Sequence, residues 1–199
     1  MPGATIAAKL AFYGVVVCWW WFALTFWLRK PPPRARAAKR DLTSYFGMAL
    51  QSAGYFTVWY FPFLLHRRSP IASEPQWLAW TTTILALAIA VSSAWLVNAA
   101  ARRLGKQWSL AARIVEGHDL ISDGPYRFVR NPIYTGMLGM LVATGLTVSP
   151  LLPLLLACAI FIAGTYIRVR IEERLLRETF GPRFDEYARR VPAMIPGLW

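Results

Sequence analysis

The side chains that could do chemistry gather in two stretches, Gly117–Gly136 (GHDLISDGPYRFVRNPIYTG) and Arg168–Tyr187 (RVRIEERLLRETFGPRFDEY). Between them they hold every acid in the chain except Asp41, Glu74 and Glu116. Carboxylates, arginines and tyrosines collected in this way can bind a small charged molecule and pair with its charges. On one helix Arg168 and Glu172 are four residues apart and share a face, as do Glu173 and Arg177. The second pair reads as an ion pair on an amphipathic helix whose Leu175, Leu176 and Phe180 turn inward. The first pair lies where a long apolar run ends, at a depth where ionisable groups are functional suspects.

In the earlier stretch, Asp123-Gly124-Pro125-Tyr126 has strong turn chemistry, Asn131 suits a helix N-cap and Pro132 suits a first helical turn. Each residue also has a purely structural use: Arg127 and Arg130 as flanking charges, Tyr126 and Tyr134 as interfacial aromatics. Their density beside the second stretch is what points to a site.

The elements that must position these residues follow from composition. The chain has 199 residues, of which 56% are hydrophobic and only 16% charged, and it holds ten Trp. That is too apolar for an ordinary soluble domain and predicts an all-α integral membrane protein forming one compact unit. The charge of +12 would suit nucleic acid, but the basic residues cluster beside apolar runs and no zinc-finger spacing is present, so membrane orientation and anionic lipid headgroups fit better. Cys18 and Cys158 lie in apolar runs and read as packed thiols.

Gaps between charges mark the spans. The first runs between Lys9 and Arg29, with no cleavage-site pattern, and reads as a retained helix. The Arg29–Arg40 loop, RKPPPRARAAKR, carries six basic residues and no acid, which places it in the cytoplasm and the N-terminus outside. Further spans are expected over Leu42–His66 and Trp77–Ala101. The charge-free run from Asn131 to Ile167 is too long for one crossing, and Pro150 with Pro153 divides it into a hairpin, 132–148 and 152–168. About five transmembrane helices result. Three of them fall in 1–101, and the site region with its hairpin, a cytoplasmic cofactor-binding segment and a C-terminal helix occupies 102–199. Gly136, Gly139, Ala143, Thr144 and Gly145 supply a small-residue stripe for close helix packing.

An ordered set of motifs carries a resemblance: Leu104-Gly105-x-x-Trp108-Ser109, Gly117-His118-x-Leu120-Ile121, Gly124-Pro125-Tyr126, Arg130-Asn131-Pro132-x-Tyr134-x-Gly136, Glu172-Glu173-x-x-Leu176, Phe180-Gly181, and Tyr187 with Val191-Pro192 and Pro196. Over Leu104–Pro196 the chain resembles the isoprenylcysteine carboxyl methyltransferase family and its phospholipid methyltransferase relatives. The resemblance implies a membrane methyltransferase that uses S-adenosyl-L-methionine bound on the cytoplasmic side, with no metal. It implies cofactor contacts from His118, Asp119, Leu120 and Ile121, from Tyr126, from Asn131, Pro132, Ile133 and Tyr134, and from Glu172. It puts Arg168 at the substrate.

Where the family most often has His before the Pro, this chain has Asn131, which hydrogen-bonds but takes no charge. A carboxylate acceptor needs only a cation such as Arg168, whereas an amine needs a base, for which Asp119, Glu173 or His118 are candidates. The expected acceptor is lipid-like and enters from the bilayer. The Ala/Arg/Pro-rich composition suggests a bacterial inner membrane, where a prenylated protein would be unexpected. Membrane sterol reductases, which bind a nicotinamide cofactor, share Arg-x-Pro-x-Tyr and a later Glu and form the competing class, with a non-enzymatic scaffold as the third.

Overall fold

The computed structural model describes residues 2–28, 42–64, 69–105 and 119–195. Among them the regular structure is helical, with no strand. In chain order the helices are α1 (Pro2–Trp27), α2 (Leu42–Leu64), the short α3 (Pro70–Ser73), α4 (Gln76–Leu104), α5 (Pro132–Val148), α6 (Leu151–Phe180) and α7 (Pro182–Arg190). A 3-10 turn at Gly124–Arg127 stands between α4 and α5. The Arg29–Arg40 loop and His118 lie outside the described residues.

A helix rises about 1.5 Å per residue and the hydrocarbon layer is about 30 Å thick. By length and apolarity α1, α4 and α6, of 26, 29 and 30 residues, can cross it, while α5 is apolar but shorter. Their outward side chains match that solvent: Tyr13, Val17, Trp20 and Trp27 of α1 and Leu151, Leu152 and Leu155 of α6 are exposed. In hydrocarbon such exposure carries no cost, and backbone polar groups are satisfied within the helices.

α5 touches α1, α2, α4 and α6, so the shortest apolar helix is the centre of the bundle. Its break from α6 has a local cause. Pro150 forbids the αR region to the residue before it, and Ser149 is extended, with φ −116° and ψ 142°. At the far end of α6, Gly181 adopts φ 54°, a conformation that costs a residue with a Cβ, and the chain turns there into α7.

Small residues set how closely the helices approach. The first two glycines of the stripe on α5 pack on α4: a Cβ at Gly136 would stand 2.9 Å from the Ser93 carbonyl, and one at Gly139 would collide with the Ser93 hydroxyl. A second seam joins α2 to α6. A Cβ at Gly164 would lie 2.5 Å from the Gly47 carbonyl, and one at Gly54 would lie 2.8 Å from the Ala157 carbonyl. Helices in lipid gain from such contact through dispersion, since burial of apolar surface drives little there.

Polar side chains add cross-links. Trp19 donates to the Thr144 hydroxyl at 3.0 Å, and Tyr55 donates to the Met137 carbonyl at 2.7 Å. Thr83 donates to the Ala7 carbonyl at 3.1 Å.

Gly164→Leu should therefore force α2 off α6 at a cost of about 2 kcal/mol or more. The check is the thermal unfolding midpoint in detergent, which should fall for Gly164→Leu and stay unchanged for Ala163→Leu, since Ala163 faces outward on the same helix.

Candidate functional site

The site begins at the 3-10 turn. Gly124 takes φ 59°, which glycine tolerates best, and the turn buries Tyr126. Arg103, near the end of α4, donates to Asp123 at 2.6 Å and 2.5 Å. The hydrogen bond from Arg103 holds the Asp123 carboxyl below its ordinary range, although the pair lies open to solvent. From α7, Tyr187 donates to the Tyr126 carbonyl at 2.7 Å, and burial pushes its phenol up, so it keeps the proton it donates.

Arg130 and Asn131 come next, and a segment far along the chain ties them down. The Arg130 amide donates to the Pro192 carbonyl at 2.8 Å and the Asn131 amide to the Ala193 carbonyl at 2.9 Å. The Arg130 guanidinium donates to the Ala188 carbonyl at 2.9 Å, to the Val191 carbonyl, and to Glu173 at 2.7 Å. Both members of the ion pair are nearly buried, with side chains 12% and 13% exposed. Thr135 donates to the Met194 carbonyl at 2.9 Å.

Two local expectations change here. Asn131 stands at the N-cap position of α5 but makes no capping bond; its amide donates to the Ala193 carbonyl at 3.1 Å. Glu173 pairs with Arg130 instead of Arg177, and Arg177 pairs with Asp185 at 2.7 Å on the surface. A carboxylate on the inward face of α6 needs a partner on that face, and Arg130, just before α5, is the one at hand.

A cavity of about 70 Å³ opens among these residues, lined by Leu104, Asp119, Leu120, Ile121, Tyr126, Arg130, Asn131, Glu173, Leu176, Phe184 and Tyr187. Its walls come from the end of α4, the 119–126 segment, the start of α5, α6 and α7. Binding pockets for whole small molecules run to roughly 300–1,000 Å³, so this volume accommodates one portion of a ligand.

Glu172 points elsewhere, as consecutive helical residues must. It accepts a short hydrogen bond from the Tyr134 hydroxyl and lies 3.6 Å from Arg168. Arg168 is 5% exposed, with its guanidinium 5.1 Å from the Tyr134 ring centroid, close enough for a cation–π contact. It also donates to Gln51 of α2 at 3.2 Å, and Gln51 donates to Thr165 at 2.8 Å. A buried cation is tolerated only with such partners.

The fold thus brings Asp119, Leu120, Ile121, Tyr126, Asn131 and Glu173 into one cavity. It gathers Arg168, Glu172 and Tyr134 in a second cluster, and Pro132 and Ile133 form the first turn of α5 between the two. Three contributors escaped the sequence reading: Gln51, the pairing of Arg130, and the brace from Tyr187. Arg130 and Tyr187 stood among the quoted motifs without a partner, and Gln51 was marked only as an amide within the charge-free run of α2.

The sequence model of the family described as phospholipid methyltransferase matches residues 81–183. Among curated proteins, the chain is 34% identical over 99 residues to a nickel-cobalt-cadmium resistance protein of Alcaligenes xylosoxydans xylosoxydans, covering 48% of this chain and 45% of the relative. It is 34% identical over 84 residues to protein-S-isoprenylcysteine O-methyltransferase B of Arabidopsis thaliana, 41% of each chain. It is 32% identical over 104 residues to the protein-S-isoprenylcysteine O-methyltransferase of Schizosaccharomyces pombe, 51% of this chain and 44% of that one. The chain thus spans less than half the length of each of these relatives.

Arg130→Ala should strand the nearly buried Glu173 carboxylate and the carbonyls of Ala188 and Val191, costing about 3–5 kcal/mol. Hydrogen–deuterium exchange should show it directly, with the amides of Arg130 and Asn131 exchanging faster than in the unaltered protein, while amides in mid-α4 do not change.

Proposed function

This chain belongs to the phospholipid methyltransferase family, and on that premise we propose that it is an S-adenosylmethionine-dependent membrane methyltransferase acting on a lipid-like carboxylate, as an isoprenylcysteine carboxyl methyltransferase does. One observation carries the reading: the cavity sets Asp119, Leu120, Ile121, Tyr126 and Asn131 against Glu173 and Leu176 of α6 and Phe184 and Tyr187 of α7. The first five are positions at which the family resemblance expects the cofactor.

The residues present fit that cofactor by their chemistry. Leu120, Ile121, Leu176 and Phe184 offer apolar walls to an adenine, and Tyr126 offers an aromatic face. Asp119, Asn131 and Glu173 offer polar groups on the same cavity, and Glu172 supplies a carboxylate for an ammonium in the adjoining cluster. Pro132, Ile133 and Tyr134 are the turn that connects them, and His118 completes the expected set from outside the described residues.

When bound, S-adenosylmethionine supplies an electrophilic methyl group on a sulfonium. Transfer of that methyl group to an acceptor carboxylate would balance as a methyl ester and a neutral thioether. No proton changes hands, so the protein's task is alignment and exclusion of water. Arg168 holds the acceptor carboxylate, and Tyr134 and Glu172 fix the direction of Arg168. Glu173, held by Arg130, acts as a wall of the cavity and not as a base.

The buried guanidinium favours an acid over an amine acceptor. In the bilayer α2 and α5 complete a five-span bundle with α1, α4 and α6, with the cavity on the cytoplasmic face of a bacterial inner membrane and the acceptor entering laterally from lipid.

Calorimetry with S-adenosylhomocysteine and, separately, NADPH tests the class. Binding of the first alone is expected; binding of NADPH alone would make the protein a reductase. Glu172→Gln should weaken S-adenosylhomocysteine at least about tenfold, as the loss of a charged hydrogen-bond partner does, while Arg168→Ala should spare it and lower turnover. The pH profile separates acceptors. A carboxylate of ordinary pKa near 4 is ionised throughout about pH 6–9, so its turnover should be flat there. An amine must lose a proton first, so its turnover would rise roughly tenfold per pH unit below its pKa.

A further inference from the structure

Gln51 lies on α2, outside the residues 81–183 that match the family, yet it is 2% exposed and in direct contact with Arg168. Arg has only donors, so the atom of Gln51 that faces it must be the amide oxygen. The amide nitrogen then points the other way, and it donates to Thr165 at 2.8 Å. Thr165 is fully buried and lies about one turn before Arg168 on the same helix, so both ends of the Gln51 amide are held by α6.

The backbone around it is cut to the same shape. Gly47 is one turn before Gln51, and a Cβ there would stand 2.7 Å from Cγ of Arg168 and 2.8 Å from the Gly164 carbonyl. Gly164 is one turn before Arg168 and faces Gly47. α2 therefore leaves space for the stem of the arginine and places an acceptor at its head.

We propose that Gln51 is a positioning residue for the acceptor: it sets the direction of the Arg168 guanidinium without neutralising it, and so tunes the site for an anionic headgroup. The amide matters because it is uncharged. Glu172, 3.6 Å from Arg168, is already engaged by the Tyr134 hydroxyl, and a second carboxylate at position 51 would compete with an anionic acceptor for the same cation. This inference rests on the reading above that Arg168 meets the acceptor.

The test uses the full chain in detergent, with S-farnesylcysteine as the acid and its methyl ester as the uncharged counterpart. S-adenosylhomocysteine affinity is measured first for the unaltered protein, Gln51→Leu and Gln51→Glu, and should agree within about twofold, showing that all three retain the cofactor site. Both variants should then raise KM for the acid at least about tenfold, while affinity for the methyl ester stays constant. Equal weakening of acid and ester, or no change in either, would overturn the role of Gln51 and leave the methyltransferase reading intact. Failure of the unaltered protein to bind S-adenosylhomocysteine would overturn that reading, and this inference with it.

Discussion

A guanidinium placed between apolar helices governs this structure. Arg168 is nearly sealed from solvent, and a charge in that position must be surrounded by groups that answer it. Each neighbour does so in a different way: Glu172 by opposite charge, Tyr134 by its ring face, and Gln51 by an amide oxygen. Three helices, α2, α5 and α6, are thereby committed to one register, since sliding any of them by a turn would strand the charge. The glycines at 47 and 164 are the steric half of the same arrangement, because the helices must come close before the polar groups can meet.

The adjacent acids at 172 and 173 show how one helix serves two compartments. Consecutive residues project about 100° apart around a helix axis, so Glu172 joins the arginine cluster while Glu173 turns to Arg130 and the cavity. The start of α5 mirrors this, with Arg130 and Asn131 on the cavity and Tyr134 in the cluster. Two short sequence motifs therefore meet as two faces of one joint. On the proposed reading, one face serves the polar cofactor and the other the apolar acceptor.

Much of the frame was legible because it depends on run length and punctuation. A charge-free stretch from Asn131 to Ile167 interrupted by Pro150 admits few readings other than two helices, and α5 and α6 start and break where those residues require. That Asp119–Ile121, Tyr126 and Asn131 lie close together follows from their being within one short stretch, but their roles toward a cofactor were accessible only through resemblance. Local rules failed where a distant partner was stronger. Asn131 gave up capping for the Ala193 carbonyl, and Glu173 gave up an i,i+4 pair for a less exposed arginine. Gln51 was the hardest to see, because a lone amide in an apolar helix has many uses and its partners are over a hundred residues away.

The ties between the start of α5 and residues 191–194 bear on the shape of the cavity. The bonds from Asn131 and Thr135 to Ala193 and Met194 close loops of 62 and 59 residues, and those loops contain both α5 and α6. Their closure entropy is smaller than that of the contacts joining α2 to α6, such as Gln51 with Arg168, which are over a hundred residues apart. The helices match through their small residues, and the cavity acquires its shape when the chain beyond α7 returns to Arg130. The shape of the cavity therefore depends on the chain that follows α7, and not on the helix bundle alone.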